Sequence, residues 1–254
     1  MVRRVITDSI WSQLEEILCK HGCHLWGNER NIMEAILWKL RTGGPWRDIP
    51  SEFCPWQTAF NRFNRWSKKG PMGRFFFMLR KEVDKEWVFA DGSYVRAHQH
   101  ATGAQRGQER AIGRSAGGLT TKIHMCTDAH GNPLNFKITG GQVHDSKVAN
   151  ELIDLAEGAE YFIADKGYDA DSIRIYGRTK GMQVIIPKRK NSTRPDPEFD
   201  AHLYKNRHLV ENLFARLKHF RGIAMRFEKL ARNFQSMLYI ASMHIWLKLL
   251  CPTN

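Results

Sequence analysis

Along residues 1–86 the apolar positions recur every three or four residues, the spacing of helices that bury one face. The pattern predicts helices over Asp8–Cys19, Asn28–Arg41, Trp56–Lys69 and Met72–Asp84, divided by the links GGPWRDIP and KKGP with their Gly/Pro breakers. From Trp87 the period changes. WVFAD (87–91) reads as a short apolar strand closed by a carboxylate. GLTTKIHMCTD and LNFKITGGQ read as the two strands of a hairpin, joined by AHGNP. DSKVANELIDLA predicts a helix with Asp145 as its N-cap. YFIAD (161–165) is a second apolar strand ending in Asp, DADSIRIYGRTKG a helix, QVIIP a buried strand and KRKNSTRPDPEFD a polar, proline-broken loop. A helix over Tyr204–Lys218 follows, then an apolar helix around Phe234–Leu250.

The order β, β, β, α, β, α, β, α implies an α/β fold with a mixed sheet and helices packed on it. The expected organisation is therefore an all-α domain over 1–86 followed by an α/β domain over 87–254. The helix Trp56–Lys69 divides into an apolar stripe (Trp56, Ala59, Phe60, Phe63) and a basic side (Arg62, Arg65, Lys69) with no acid among them. A helix, a turn-rich link and a second helix with a basic face suggest a helix-turn-helix-like, DNA-binding N-terminal domain.

Composition narrows the partners. The 254-residue chain carries a formal net charge of +13, which favours a polyanion such as DNA. No apolar run reaches the roughly 20 residues that span a bilayer, and MVRRVITDSI lacks the apolar stretch of a signal peptide. The expectation is a cytoplasmic, nucleoid-associated bacterial protein that avoids membranes. Five scattered cysteines do not form a disulfide framework, and Cys19, His21, Cys23 and His24 have no second ligand pair at zinc-finger spacing.

The candidate chemistry is carboxylate chemistry. Asp91 and Asp165 each follow an apolar strand, in ADGSY and ADKGYD. In α/β folds ligands gather beyond the carboxyl ends of strands. On the helix Tyr204–Lys218, Arg207, Glu211 and Lys218 fall on nearly one line beside the apolar residues Leu209, Val210, Leu213, Phe214 and Leu217. Glu211 alone reads as an ion-pair partner of Arg207. With Asp91 and Asp165 it reads as the third member of an acidic triad. Three converging carboxylates repel unless cations neutralise them, and hard oxygen donors suit two Mg²⁺ or Mn²⁺ ions engaged in phosphodiester chemistry.

These motifs carry a resemblance. Tyr204, Arg207, Glu211 and Lys218 match the Tyr-Arg-Glu-Lys signature of the DDE transposases of bacterial insertion sequences. DGSYV and ADKGYD resemble that group's two aspartate motifs, while GGQVHDSKV, RAHQHATGAQRG and KLARNF resemble the family of insertion sequence five. The resemblance spans essentially the whole chain. It implies an RNase H-like core with Asp91, Asp165 and Glu211 as metal-binding catalytic residues. It also implies Tyr204, Arg207 and Lys218 as contacts to the DNA backbone. The implied partners are the element's terminal inverted repeats and target DNA, bound by a homodimer or a larger assembly. The implied reaction is cleavage that exposes a 3′-hydroxyl, followed by direct transesterification into the target. A nuclease that cuts without joining, or a domesticated DNA-binding protein, is the alternative. Only 45 residues separate Asp165 from Glu211, which leaves no room for a large inserted β-domain. His144 and Asp145 read equally as neighbours of the metals or as a turn with an N-cap. The run Lys188, Arg189, Lys190 reads as a solvated loop face.

Overall fold

The computed structural model describes residues 2–20, 27–80, 83–103, 109–189 and 199–250. In chain order the helices are α1 (Asp8–Lys20), α2 (Glu29–Thr42), α3 (Trp56–Lys69), α4 (Pro71–Leu79), α5 (Ala149–Leu155), α6 (Asp171–Thr179), α7 (Ala201–Lys205), α8 (His208–Lys218), α9 (Arg221–Ala224) and α10 (Ala231–Leu250). The strands are β1 (Trp87–Ala97), β2 (Gly113–Ser115), β3 (Gly118–Thr127), β4 (Pro133–Gly140), β5 (Tyr161–Ala164), β6 (Gln183–Ile185) and β7 (Met225–Arg226). They build two compact units, one of residues 1–81, 97–110 and 217–254, the other of 82–96 and 111–216. The expected domains were continuous in sequence. Packing instead places 217–254 with the N-terminal helices.

The first unit is helical. In α3 the buried residues are Ala59, Phe63, Trp66 and Ser67, so the apolar face is rotated from the expected stripe and leaves Phe60 36% exposed. Phe60 still has aromatic neighbours, Trp46 at 5.5 Å and Trp56 at 6.4 Å between ring centroids. α3 and α4 are separated only by Gly70 at φ 72°, a left-handed position that glycine adopts without strain, and Pro71 opens α4. The link from α2 to α3, residues 43–55, is far longer than the three- or four-residue turn of a helix-turn-helix. The α10 helix packs on α2, α3 and α4.

The second unit holds the mixed sheet. Its path is β2-β3-β1-β5-β6, with β4 also on β3. The neighbours β4, β3 and β1 are antiparallel, whereas β1, β5 and β6 are parallel. This is the mixed sheet expected of an RNase H-like core. One face is covered by α5 and α6, which bury Val88, Ala90, Cys126, Phe162 and Ala164 against Leu152, Ile153 and Ile173. Side chains alternate along a strand, so Phe89, Asp91, Ile163 and Asp165 belong to the other face. The expected strand end at Asp91 needs correction. β1 runs on to Ala97 because Gly92–Arg96 pair with Thr120–His124 of β3.

Buried in α10, His244 is 8% exposed and its pKa falls to about 4, mainly through burial and then through Lys248 and Arg41. A histidine held neutral binds fewer protons folded than unfolded, so its stability contribution is complete above its ordinary value of 6.5 and is lost as pH falls toward 4. The expected loss is roughly 3 kcal/mol across that window. In urea titrations between pH 7 and 4, His244→Gln is expected to be less stable at pH 7 but to show a flatter pH slope; an unchanged slope would remove His244 as its source.

Candidate active site

Asp91 and Asp165 come together through strand register. The parallel ladder between β1 and β5 ends at Ala90 opposite Ala164, so the next residue on each strand is the aspartate. Each carboxylate is aimed by a glycine amide. The Gly92 N–H donates to Asp91 Oδ1 at 2.7 Å, and the Gly167 N–H donates to Asp165 Oδ1 at 2.8 Å. The second bond caps the 3₁₀ turn Lys166–Tyr168.

The third acid arrives on α8. The expected continuous helix is interrupted at Asn206 and Arg207, between α7 and α8. Asp200 caps α7 through the amides of His202 and Leu203, and the amides of Asn206 and Arg207 close tight turns on Leu203 and Tyr204. Arg207 therefore precedes α8 but still reaches Glu211 one turn later. One guanidinium nitrogen binds Asp91 Oδ2 at 3.1 Å, and the other pairs with Glu211. Burial works against the charge of Arg207, yet Asp91 and Glu211 more than offset it and hold its pKa above the ordinary value. Burial pushes the Asp91 carboxyl up, with Asp165 and Asp145 adding repulsion against the pull of the Gly92 amide and Arg207.

Behind Asp91 and Asp165, on the face shared with α5, lies a cluster that the sequence reading left undecided. Asp145 does not cap a helix. It sits in the 3₁₀ turn Asp145–Lys147 ahead of α5, where the side chain of His144 does the capping. Its carboxylate accepts from Lys122 Nζ at 2.5 Å and from the Tyr168 hydroxyl at 3.4 Å, and His124 Nδ1 approaches it at 3.1 Å. Lys122, His124 and Tyr168 are all buried. Burial alone would raise the Asp145 carboxyl, but His124 and Lys122 bring it below the ordinary value. Burial pushes the Tyr168 hydroxyl well up, and Asp145, Asp91 and Asp165 repel its anion further. The available signal was in β3, where Lys122 and His124 take alternate positions on the face that carries buried Cys126.

The other expected residues are dispersed. Tyr204 is partly buried, with Phe199 at 5.4 Å and the Arg207 guanidinium over its ring. Lys218 is exposed at the end of α8. In the helical unit Arg65 and Lys69 are exposed, but Arg62 pairs at 3.0 Å with Glu29, itself 2% exposed, and lies over Trp66. The acid missing from α3 is thus supplied by α2. Arg189 is held by its amide on Asp169 at 2.8 Å, and its Nε reaches the Lys166 carbonyl at 3.4 Å. Lys190 lies outside the described residues, as do His21, Cys23 and His24.

Comparison with known proteins gives the chain's family. The family described as "Transposase DDE domain" matches residues 83–246. The chain belongs to the DDE transposase family. Residues 6–76 match a second family described as "Putative transposase of IS4/5 family". The chain is 37% identical over 131 residues to "Putative transposase for insertion sequence element IS6501" of Brucella ovis, covering 51% of this chain and all of that one. It is 34% identical over 122 residues to "Putative transposase for insertion sequence element IS402" of Burkholderia cepacia, covering 44% of this chain and 55% of the relative. Among solved structures, "Crystal structure of a pre-cleavage Mos1 transpososome" aligns with 88% of this chain and 79% of its own at 10% identity and TM-score 0.29, too weak a likeness to carry an inference. The protein is an insertion-sequence transposase, a DNA-cleaving and DNA-joining enzyme.

DDE transposases use divalent metal, and the donor chemistry here fits it. Asp91 is a carboxylate raised by burial and by acidic neighbours, a load that a cation relieves. Among the described residues no three acidic, histidine or cysteine side chains already form a cation cage. Glu211 is turned to Arg207, whose guanidinium supplies positive charge between Glu211 and Asp91. Arg207→Met is expected to lower the unfolding free energy of the metal-free enzyme by about 1.5–3 kcal/mol, the range for hydrogen bonds to charged groups. Chemical denaturation checks this, and an unchanged midpoint would mean the bridge stabilises nothing.

Proposed function

We propose that Asp91, Asp165 and Glu211 are the catalytic carboxylates of this transposase and hold two Mg²⁺ or Mn²⁺ ions. The observation that carries the reading is the shared end of the β1–β5 ladder, which brings Asp91 beside Asp165, with Arg207 linking Asp91 to Glu211. When bound, such ions activate a water or a 3′-hydroxyl and stabilise the leaving oxygen of a phosphodiester. The protein's own part is to hold the carboxylates and to grip DNA. Tyr204, Arg207 and Lys218 line the approach along α7 and α8 as contacts for the transferred strand, with Arg207 exchanging a carboxylate for a phosphate. Arg65 and Lys69 on α3 contact the phosphates of the terminal inverted repeats. The ends are brought together by at least a dimer in the cytoplasm, and the exposed 3′-hydroxyl attacks target DNA.

The test uses repeats taken from the DNA flanking the gene, a plasmid target and Mg²⁺. Glu211→Gln and Asp91→Asn are expected to lose cleavage and joining by at least a hundredfold while binding the ends nearly as well as wild type. Joining retained by either variant would sink its assignment. Neutralising Arg65 and Lys69 together is expected to weaken end binding and to reduce the salt slope by about 2, near 0.9 per phosphate contact. Arg62→Gln is expected to lower stability instead, because it strands the buried Glu29 carboxylate. Equal salt slopes for wild type and the double variant would remove α3 from the DNA surface.

A further inference from the structure

The buried cluster behind the two strand-end aspartates has no part in the scheme above. An ion pair taken from water costs more than its Coulomb attraction returns unless its geometry is well satisfied, so its location requires a reason. Lys122 and Asp145 meet at 2.5 Å with side chains 5% and 17% exposed. Lys122 also contacts the Tyr94 hydroxyl at 3.4 Å and lies over the Tyr94 ring. His124 is tied through Nε2 to Thr139 at 2.9 Å. The cluster is therefore fixed to β1, β3, β4 and the turn Lys166–Tyr168.

Its contacts with backbone are more telling. A methyl group on Gly92 would stand 2.4 Å from Asp145 Oδ1 and 2.7 Å from Lys122 Cε, so the ion pair occupies the space a side chain would need. A methyl group on Gly167 would stand 3.6 Å from Asp145 Oδ2. The turns Asp145–Lys147 and Lys166–Tyr168 pack against each other. Gly92 and Gly167 are the same two glycines whose amides aim Asp91 and Asp165. One carboxylate thus lies beside both backbone segments that orient the catalytic pair, packed tightly on Gly92 and in ordinary contact range of Gly167.

We propose that Asp145, held by Lys122, His124 and Tyr168, is a positioning residue that sets the relation between the Asp91 and Asp165 carboxylates and thereby the enzyme's affinity for divalent metal. The proposal rests on the assignment of Asp91 and Asp165 as metal ligands. Asp145 itself stays a partner of Lys122 rather than a ligand. Groups that orient metal ligands without touching the metal are worth about 10–100-fold in affinity. The glycine of Asp-Gly on β1 follows from this arrangement, because it leaves room for the Asp145 carboxylate, whereas a side chain at Gly167 would first meet Asp165 Oδ1, at 2.8 Å.

The experiment titrates Mn²⁺ into the metal-stripped full chain by electron paramagnetic resonance, beside cleavage of inverted-repeat DNA over a range of Mn²⁺ concentrations. Asp145→Ala and Gly92→Ala are expected to weaken Mn²⁺ binding about 10–100-fold. The half-saturating Mn²⁺ for cleavage should rise by a similar factor, the rate at saturating metal should fall much less, and end binding should not change. Asp145→Asn, which keeps the shape, should lie between them and wild type. Circular dichroism shows which variants fold; if Asp145→Ala does not, Asp145→Asn and Gly92→Ala decide. Wild-type Mn²⁺ affinity in the folded variants overturns the positioning role. Asp91→Asn separates the two claims: if it also keeps wild-type Mn²⁺ affinity and cleavage, the ligand assignment itself is what failed.

Discussion

The constraint on which the rest depends is repulsion between carboxylates gathered at the end of one parallel ladder. Asp91 and Asp165 are placed side by side by backbone register, which no side-chain adjustment can undo. Asp145 lies close enough to raise the Asp91 carboxyl further. Such a group folds only if positive charge is supplied locally, because screening by water is weak at half-buried sites. The protein supplies it from two directions. Arg207 comes from the start of α8 to Asp91 and Glu211, and Lys122 comes from β3 to Asp145. The two cations differ in kind. Arg207 is a forked donor that can release one oxygen while keeping another, whereas Lys122 is a buried point charge locked beneath Tyr94.

Under the proposed assignment, this division suits an enzyme that admits metal and DNA phosphate at the same carboxylates. The counter-charge on the open side has to be exchangeable, and that on the closed side must not be. Glu211 illustrates the first requirement: its side chain is 53% exposed, so turning from Arg207 toward a cation involves little repacking. His124 and Tyr168, both fully buried, illustrate the second. The apolar layer of α5 and α6 then keeps water from the closed side, which is why an ion pair there retains its strength.

Much of this was readable in the residues, and the failures have physical causes. The alternation of texture near Trp87 marked the change from helices to sheet, because periods of 3.6 and 2 are properties of local geometry. The acids Asp91, Asp165 and Glu211 stood out by motif and spacing, Glu211 alone reading as an ion-pair partner of Arg207 and, with the two aspartates, as the third member of a triad. Glu211 pairs with Arg207, and Arg207 also holds Asp91, a contact that spacing on one helix does not encode. Asp145 was missed as a buried partner because its meaning lies in Lys122 and His124, more than twenty residues earlier on β3. The rotation of the α3 face was missed for a similar reason: Phe60 is apolar by type, yet its neighbours Trp46 and Trp56 shield it only in part. The family matches at 6–76 and 83–246 follow chain order, whereas packing returns 217–254 to the helical unit. Packing is free to regroup segments that the chain keeps apart.

The charge count misleads in one further respect, and it bears on where DNA can bind. A net charge of +13 suggests a broadly basic surface. Several of the strongest bases are committed inside the protein. Arg62 is tied to Glu29, Arg174 to Asp169 and the Ile186 carbonyl, Lys39 to Glu228, and Arg226 is fully buried with its pKa lowered to about 10, chiefly by burial. Arg62, Arg174 and Lys39 are paired with acids and Arg226 donates to the Glu228 and Lys229 carbonyls, so these bases are not presented to a partner and the exposed positive charge lies elsewhere. That charge stands on exposed positions such as Arg65, Lys68 and Lys69 of α3, and Lys166 and Arg189 beside the turn that carries Asp165. The Asp169–Arg174 pair gives the second set its placement, since Asp169 also accepts the Arg189 amide. A buried acid–base pair thus fixes exposed bases next to the carboxylates proposed as catalytic, so any phosphate held there would depend on charges that DNA does not meet.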